Sequence, residues 1–220
     1  MSNAWLAFDD RQALASALAG RTRDLLAQGG ELSVSGGSTP IDYFHALRAL
    51  PLPWESIDVT LVDERWVDPT HADSNTRLVR EALIRDDLKV NFDNAVAPED
   101  PTPEASLARW ETILGRARSP TLAVMGMGTD GHTASWFPNS PQLPEALQGS
   151  DDKRACVTHT PSSPYPRLTQ TLASIEQFAH VILHITGDEK RRVYEQAVND
   201  SALPVSALWR QRAITVYWAP

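Results

Sequence analysis

The sequence predicts an α/β fold, a mostly parallel sheet with helices on both faces, on two observations. Short apolar runs rich in β-branched residues alternate with longer stretches of helical spacing, and such alternation favours parallel strands joined by crossover helices. Glycine-rich turns directly follow two of these runs, at Gly36-Gly37 and between Gly126 and Gly131, where an open parallel sheet forms its ligand crevice. A chain of 220 residues that is 42% hydrophobic can bury one substantial core, so residues 1–220 are expected to form a single domain.

The elements follow in order. Residues 9–28 place Leu14, Ala17, Leu18, Arg21, Leu25 and Leu26 at approximately helical spacing, and Gly29-Gly30 ends the pattern, which predicts an amphipathic opening helix. Residues 31–34 read as a strand entering a glycine turn, and residues 41–50 as the helix after it. A strand over 57–62 leads into a loop over 63–74 and a helix over 75–84. The Pro-rich stretch 98–103 precedes a helix running through Arg118, and a buried strand over 121–125 delivers a loop whose next helix is expected near His132. Strands at 181–185 and 214–217 bracket a helix at 190–198. Residues 143–155, which include Gly149-Ser150-Asp151-Asp152-Lys153, read as a surface excursion placed to act as a lid, and Ser2-Asn3-Ala4 resembles an expression scar or, after Met1, equally a native start, so it carries no weight.

Composition narrows the function. A formal charge of -8 and the absence of a long Lys/Arg cluster argue against nucleic acid as a partner, since nucleic-acid binding needs a phosphate-neutralising surface. Any anionic ligand must then meet a local pocket of positive charge. The one cysteine, Cys156, permits no disulfide within the chain and fits a reducing cytoplasm. No apolar run approaches the roughly 20 residues needed to span a bilayer, so no membrane partner is expected. Oligomeric state leaves no signal.

Three loops could build one site. In Leu32-Ser33-Val34-Ser35-Gly36-Gly37-Ser38-Thr39-Pro40, glycines let backbone N–H groups approach an anion and the following helix adds partial positive charge. An ordinary Ser/Thr helix cap is the alternative, and the segment is neither a Walker A loop nor a dinucleotide fingerprint. Asp63-Glu64-Arg65 follows a strand end and can reach a substrate, or form a solvated ion pair. Gly126-Met127-Gly128-Thr129-Asp130-Gly131-His132 presents an imidazole and a carboxylate among glycines, which suits His132 to general-base work with Asp130 orienting it. Farther along, Arg167 and Lys190 are cations that a phosphate monoester would need.

Taken with Thr133-Ala134-Ser135-Trp136-Phe137-Pro138, Arg167-Leu168-Thr169 and Gly187-Asp188-Glu189-Lys190, these blocks resemble the family of 6-phosphogluconolactonases and glucosamine-6-phosphate deaminases from about Asp9 onward. Asp130-Gly131-His132-Thr133-Ala134-Ser135 is the part specific to the lactonases. Deaminases usually carry Asp-Glu-Tyr where this chain has Asp63-Glu64-Arg65, and Asn-Glu-Pro shortly after the histidine, where this chain has Trp136-Phe137-Pro138. The resemblance implies a three-layer α/β/α fold of the deaminase and ribose-phosphate-isomerase type, a modified Rossmann fold, with no metal and no cofactor. It implies hydrolysis of 6-phosphogluconolactone, a small sugar-phosphate substrate. His132 would activate water and Asp130 orient it, while Arg65 neutralises charge on the carbonyl or ring oxygen and Asp63 binds sugar hydroxyls or holds Arg65. Gly36, Gly37, Ser38, Thr39, Arg167 and Lys190 would hold the phosphate. Gln170 departs from the apolar residue expected there. Competing readings are a deaminase, a sugar-phosphate sensor without chemistry, a Cys156–His159 nucleophile pair and a metal centre of His71, Asp73 and His132.

Overall fold

The computed structural model describes residues 3–84, 88–116, 119–148, 153–210 and 212–220. In chain order the elements are β1 (Ala4–Ala7), α1 (Arg11–Leu25), β2 (Gly30–Val34), α2 (Ile41–Arg48), β3 (Ile57–Leu61), β4 (Asp63–Arg65), α3 (Asn75–Ala82), β5 (Asn91–Phe92), α4 (Pro103–Leu114), β6 (Pro120–Met125), α5 (Leu143–Gln148), β7 (Ala155–Thr158), β8 (Arg167–Gln170), α6 (Leu172–Glu176), β9 (His180–Thr186), α7 (Asp188–Asn199) and β10 (Thr215–Ala219). Seven strands form one sheet in the order β1-β10-β9-β6-β2-β3-β5, with every neighbouring pair parallel. A smaller antiparallel sheet has the order β4-β8-β7.

The order of the large sheet fixes where a ligand can bind. From β2 the chain moves outward to β3 and β5, then returns to β2's other side with β6 and continues to β9 and β10. The loops leaving β2 and β6 therefore diverge, and a crevice opens between them at the strands' carboxyl ends.

Strand periodicity divides the core. Leu122 and Val124 of β6 face one buried cluster with Leu32, Val34, Val59, Leu61 and residues of α1 and α2, while Ala123 and Met125 face the other, with Val181, Leu183, Ile185 and residues of α5, α6 and α7. On α1, Leu14 and Leu18 are fully buried, each worth about 1.5–3 kcal/mol. Asp10 caps this helix by accepting from Ala13 N–H, and the turn after it needs glycine at residue 29, where φ is +83° and a Cβ would lie 2.4 Å from the Ser56 carbonyl oxygen.

The predicted strands and helices are present with small shifts at their ends, except around His132. Instead of a helix there, Gly128 N–H donates to the His132 carbonyl, Gly131 N–H to the Gly128 carbonyl and Trp136 N–H to the Thr133 carbonyl. Positive φ at Gly131 (+80°) and Ala134 (+50°) is incompatible with a right-handed helix, so the segment coils through consecutive turns. The expected loop over 63–74 opens instead with β4, because Asp63–Arg65 pairs with β8. Residues 3 and 4, discounted as a scar, belong to the sheet edge: Ala4 N–H donates to the Ile214 carbonyl and Asn3 Oδ1 accepts from Ile214 N–H. The first part of the expected excursion is α5, packed against α6 and β7 with Ala146 buried, and residues 149–152 of the suggested lid lie outside the described residues, as does Arg118. No helix among the described residues is long and apolar enough to cross a membrane.

Gln170 joins the two sheets. Fully buried, it donates from Nε2 to Ser33 Oγ on β2 and to the Leu61 carbonyl on β3, and its Oε1 accepts from Ser174 Oγ on α6. An apolar residue would leave those groups without partners.

Candidate active site

A cavity of about 380 Å³ opens at the crevice between β2 and β6. It is lined by the loop after β2 (Ser35 to Pro40), the start of the small sheet (Asp63, Arg65), parts of the loop after β6 (Gly126 to Gly128 and His132 to Ala134), and Arg167, His184 and Lys190. The two loops are stitched together where they leave the sheet, with Gly126 N–H donating to Ser35 Oγ and Thr133 Oγ1–H to the Gly126 carbonyl.

The glycine loop forms part of the cavity wall. Gly37 has a φ of +88° and open space where a Cβ would stand. Gly36 is needed for room, since a Cβ there would lie 1.9 Å from Asn75 Oδ1. The first turn of α2 has no side-chain cap, so its N–H groups and dipole are free for an anion. Lys190, in the first turn of α7, donates to Thr39 Oγ1 at 3.3 Å, and burial followed by the charge of Arg11 pushes its pKa below the ordinary lysine value.

His132 lines the cavity as well and pairs with Asp130. His132 Nδ1 lies 2.5 Å from Asp130 Oδ1, which also accepts from His132 N–H at 3.2 Å. The hydrogen bond from His132 holds the Asp130 carboxyl below its usual range. An ionised carboxylate can only accept, so Nδ1 carries the proton and Nε2 offers its lone pair. Gly128 makes the dyad possible, because a Cβ there would sit 2.2 Å from His132 Cε1 and 2.8 Å from Asp130 Oδ1. Phe137 packs on the imidazole with ring centroids 4.6 Å apart. These contacts orient the ring in place of the expected helix.

Two arginines also line the cavity. Arg65 and Arg167 are directly opposite across the β4–β8 pairing. Like charges so placed repel unless an anion or carboxylate compensates. Arg65 donates from Nη1 to Asn75 Oδ1 (2.6 Å) and the Asp73 carbonyl (3.2 Å), and Asn75 in turn abuts Gly36. Arg167 lies over Phe137, 5.7 Å from its ring centroid, with Nη1 3.8 Å from Asp63 Oδ2. Arg65 thus shares a neighbour with the glycine loop, and Arg167 shares one with His132. Burial lowers the Arg167 pKa and Asp63 opposes that shift.

Asp63 is buried and accepts from Ser135 Oγ–H at 2.6 Å, so it anchors Arg167 and the loop after β6 and has no contact with Arg65's guanidinium. Ala134, strained at a φ of +50°, is the residue that turns Ser135 toward it. Glu64 points away into α3's amino end, accepting from the N–H groups of Arg65, Asn75 and Thr76 and from Ser74 Oγ–H. Burial raises its pKa and the Asn75 and Thr76 N–H groups oppose the rise.

Other sequence candidates are not assembled. Cys156 is buried with its thiol pushed up to about 12 by burial, which makes it a packing residue. His71 accepts from Asp73 N–H and packs on Tyr165, and no group of three His, Cys, Asp or Glu side chains suited to a metal occurs among the described residues.

Residues 9–218 match the sequence pattern of the family described as glucosamine-6-phosphate isomerases/6-phosphogluconolactonase. The chain belongs to that family. A 6-phosphogluconolactonase of Mesorhizobium japonicum is 38% identical over 98% of this chain and 95% of its own length. The crystal structure of a 6-phosphogluconolactonase from Shewanella baltica superposes with a TM-score of 0.92 at 31% identity, covering 100% of this chain and 98% of that one. A monomeric glucosamine-6-phosphate deaminase, 17% identical with a TM-score of 0.79 over 98% of this chain and 97% of its own, shares the fold. Within this family framework, sequence reasoning missed Asn75, Ser135, Phe137 and His184. Ser135 and Phe137 stand inside the motif that follows His132, and His184 is the one polar residue in the apolar run Val181-Ile182-Leu183-His184-Ile185.

Proposed function

We propose that this chain hydrolyses 6-phospho-D-glucono-1,5-lactone to 6-phospho-D-gluconate, the lactone-opening step of the pentose phosphate pathway. One observation carries the reading: the Asp130–His132 dyad and the uncapped glycine loop with Lys190 open into the same cavity. A family sharing both lactonases and deaminases narrows the substrate to a sugar phosphate.

The phosphate rests on Gly36, Gly37, Ser38, Thr39 and Lys190, which fixes the lactone carbonyl near His132, so remote binding energy serves the reacting centre. His132 Nε2 takes a proton from water as its oxygen attacks the carbonyl carbon. The carbonyl electrons move onto oxygen, and the arginines stabilise the oxyanion that forms. Collapse of this intermediate breaks the bond to the ring oxygen, and the imidazolium returns its proton to that leaving oxygen. Asp130 keeps the imidazole in the one tautomer that can start this cycle and stabilises its charged form. Arg167, beside Phe137, suits the carbonyl end, and Arg65, through Asn75, suits the region between phosphate and ring. Asp63 holds Arg167 in place. With its one thiol buried, the enzyme is read as cytoplasmic.

A coupled assay on freshly generated 6-phosphogluconolactone, corrected for spontaneous opening, tests the proposal. Turnover should far exceed that on unphosphorylated gluconolactone. Ammonia release from glucosamine 6-phosphate without lactone hydrolysis would instead assign a deaminase.

A further inference from the structure

His184 has no role in the scheme above, yet it lines the same cavity. It sits on β9 three residues before Gly187, the residue at which α7 begins and carries Lys190 toward Thr39. The strand's alternation turns Val181, Leu183 and Ile185 to one face, and His184 to the other beneath α2, where Tyr43 meets its ring edge-on at a centroid distance of 6.2 Å. The Tyr43 hydroxyl is engaged with Thr22 Oγ1, so it offers the imidazole a packing surface.

The side chain is only 4% exposed and lines the cavity, no hydrogen bond to its ring is found among the described residues, and its nitrogens are not among the sealed polar atoms that lack a partner, so the exposure they keep is toward the cavity. Buried polar groups nearly always have partners, and an exception at a cavity wall asks what completes it. Burial, and then the neighbouring Lys190 charge, push its pKa down to about 4, so near neutrality the ring is uncharged and carries one N–H donor and one acceptor. A nearby phosphate oxygen accepts hydrogen bonds only.

We propose that His184 is a further substrate-binding residue, donating a ring N–H to a phosphate monoester oxygen held at Thr39 and Lys190. This rests on the lactonase reading for the identity of the substrate. An uncharged donor beside a cationic one gives discrimination that charge alone does not: a ligand without the phosphoryl group leaves this N–H without its acceptor, and sites built around such a donor reject the analogue lacking it.

The test compares His184→Leu, which keeps volume and removes the donor, with His184→Gln, which restores an N–H donor. Leucine should leave thermal stability equal or higher, since it removes an unpaired polar group. Its KM for 6-phosphogluconolactone should rise about tenfold or more, with a smaller change in kcat, and glutamine should recover part of the loss. The ratio of kcat/KM for phosphorylated over unphosphorylated lactone should fall by a similar factor in the leucine variant. An unchanged KM in His184→Leu, or an equal loss in both variants, overturns the proposal. Should the wild-type chain open no lactone, the functional reading fails separately, and inorganic phosphate decides the matter of His184. Thermal stabilisation by millimolar phosphate that is weaker in His184→Leu than in wild type upholds the donor, and equal stabilisation overturns it.

Discussion

Chemistry in this chain hangs on very few atoms. His132→Ala removes the proposed general base and should lower kcat by about a hundredfold or more, with circular dichroism unchanged. Near-normal turnover would remove His132 from the mechanism. Gly128→Ala is the more searching substitution, because it leaves both dyad residues in place. An added Cβ would overlap His132 Cε1 and crowd Asp130, so the ring must swing off its carboxylate. We expect a kcat loss approaching that of His132→Ala with little change in phosphate affinity, read by product inhibition. A Gly128→Ala enzyme of normal kcat would show that the dyad geometry is dispensable. The role of Asp63 also belongs to this scale: it lines the cavity and contacts Ser135 and Arg167.

At the scale of elements, the small β4-β8-β7 sheet decides how the arginines present themselves. Nothing in Asp63-Glu64-Arg65 has strand propensity, and its pairing comes from backbone bonds to Arg167–Gln170, about a hundred positions away. Gln170 then ties that ribbon to β2 and β3. Gln170→Leu should cost about 1–3 kcal/mol, because the Leu61 carbonyl and the Ser33 and Ser174 hydroxyls lose buried partners. Urea denaturation would show a lower midpoint at unchanged slope. A midpoint equal to wild type would mean that the tether contributes nothing net.

For the whole molecule, pH acts through the amino-terminal ends of the strands, far along the sheet from the cavity. Glu31 on β2 is 3% exposed and faces Asp58 across the β2–β3 ladder. Burial, then the Asp58 charge, raise its pKa from 4.5 to about 8. The folded protein therefore keeps a proton that the unfolded chain gives up. The stability this provides is complete below about pH 4.5 and is lost as pH rises through 8. Glu31→Gln keeps the shape without the ionisation. Its melting temperature should match wild type near about pH 5 and exceed it near about pH 9, by on the order of 2–4 kcal/mol of stability, since each pKa unit is worth about 1.4 kcal/mol. A constant difference across that range would place the effect elsewhere.

The sequence by itself determined the alternation of strands and helices, and the motif residues of the cavity such as Gly36, Gly37, Arg65, His132, Arg167 and Lys190, because periodicity, glycine turns and short motifs are local properties. Asp130 and His132 stand two positions apart, and Ser35 to Pro40 forms one continuous loop, so their proximity needed no folding to be seen. What only tertiary structure decided is everything made by distant pairing. The strand at Asp63–Arg65, the tether at Gln170, the neighbours of each arginine and the buried ring of His184 all depend on segments brought together from far apart in the chain. The coil around His132 is the instructive case. Its residues permit a helix, and the turns required at Gly131 and Ala134 follow from the need to place Ser135 against Asp63 and the imidazole against Phe137.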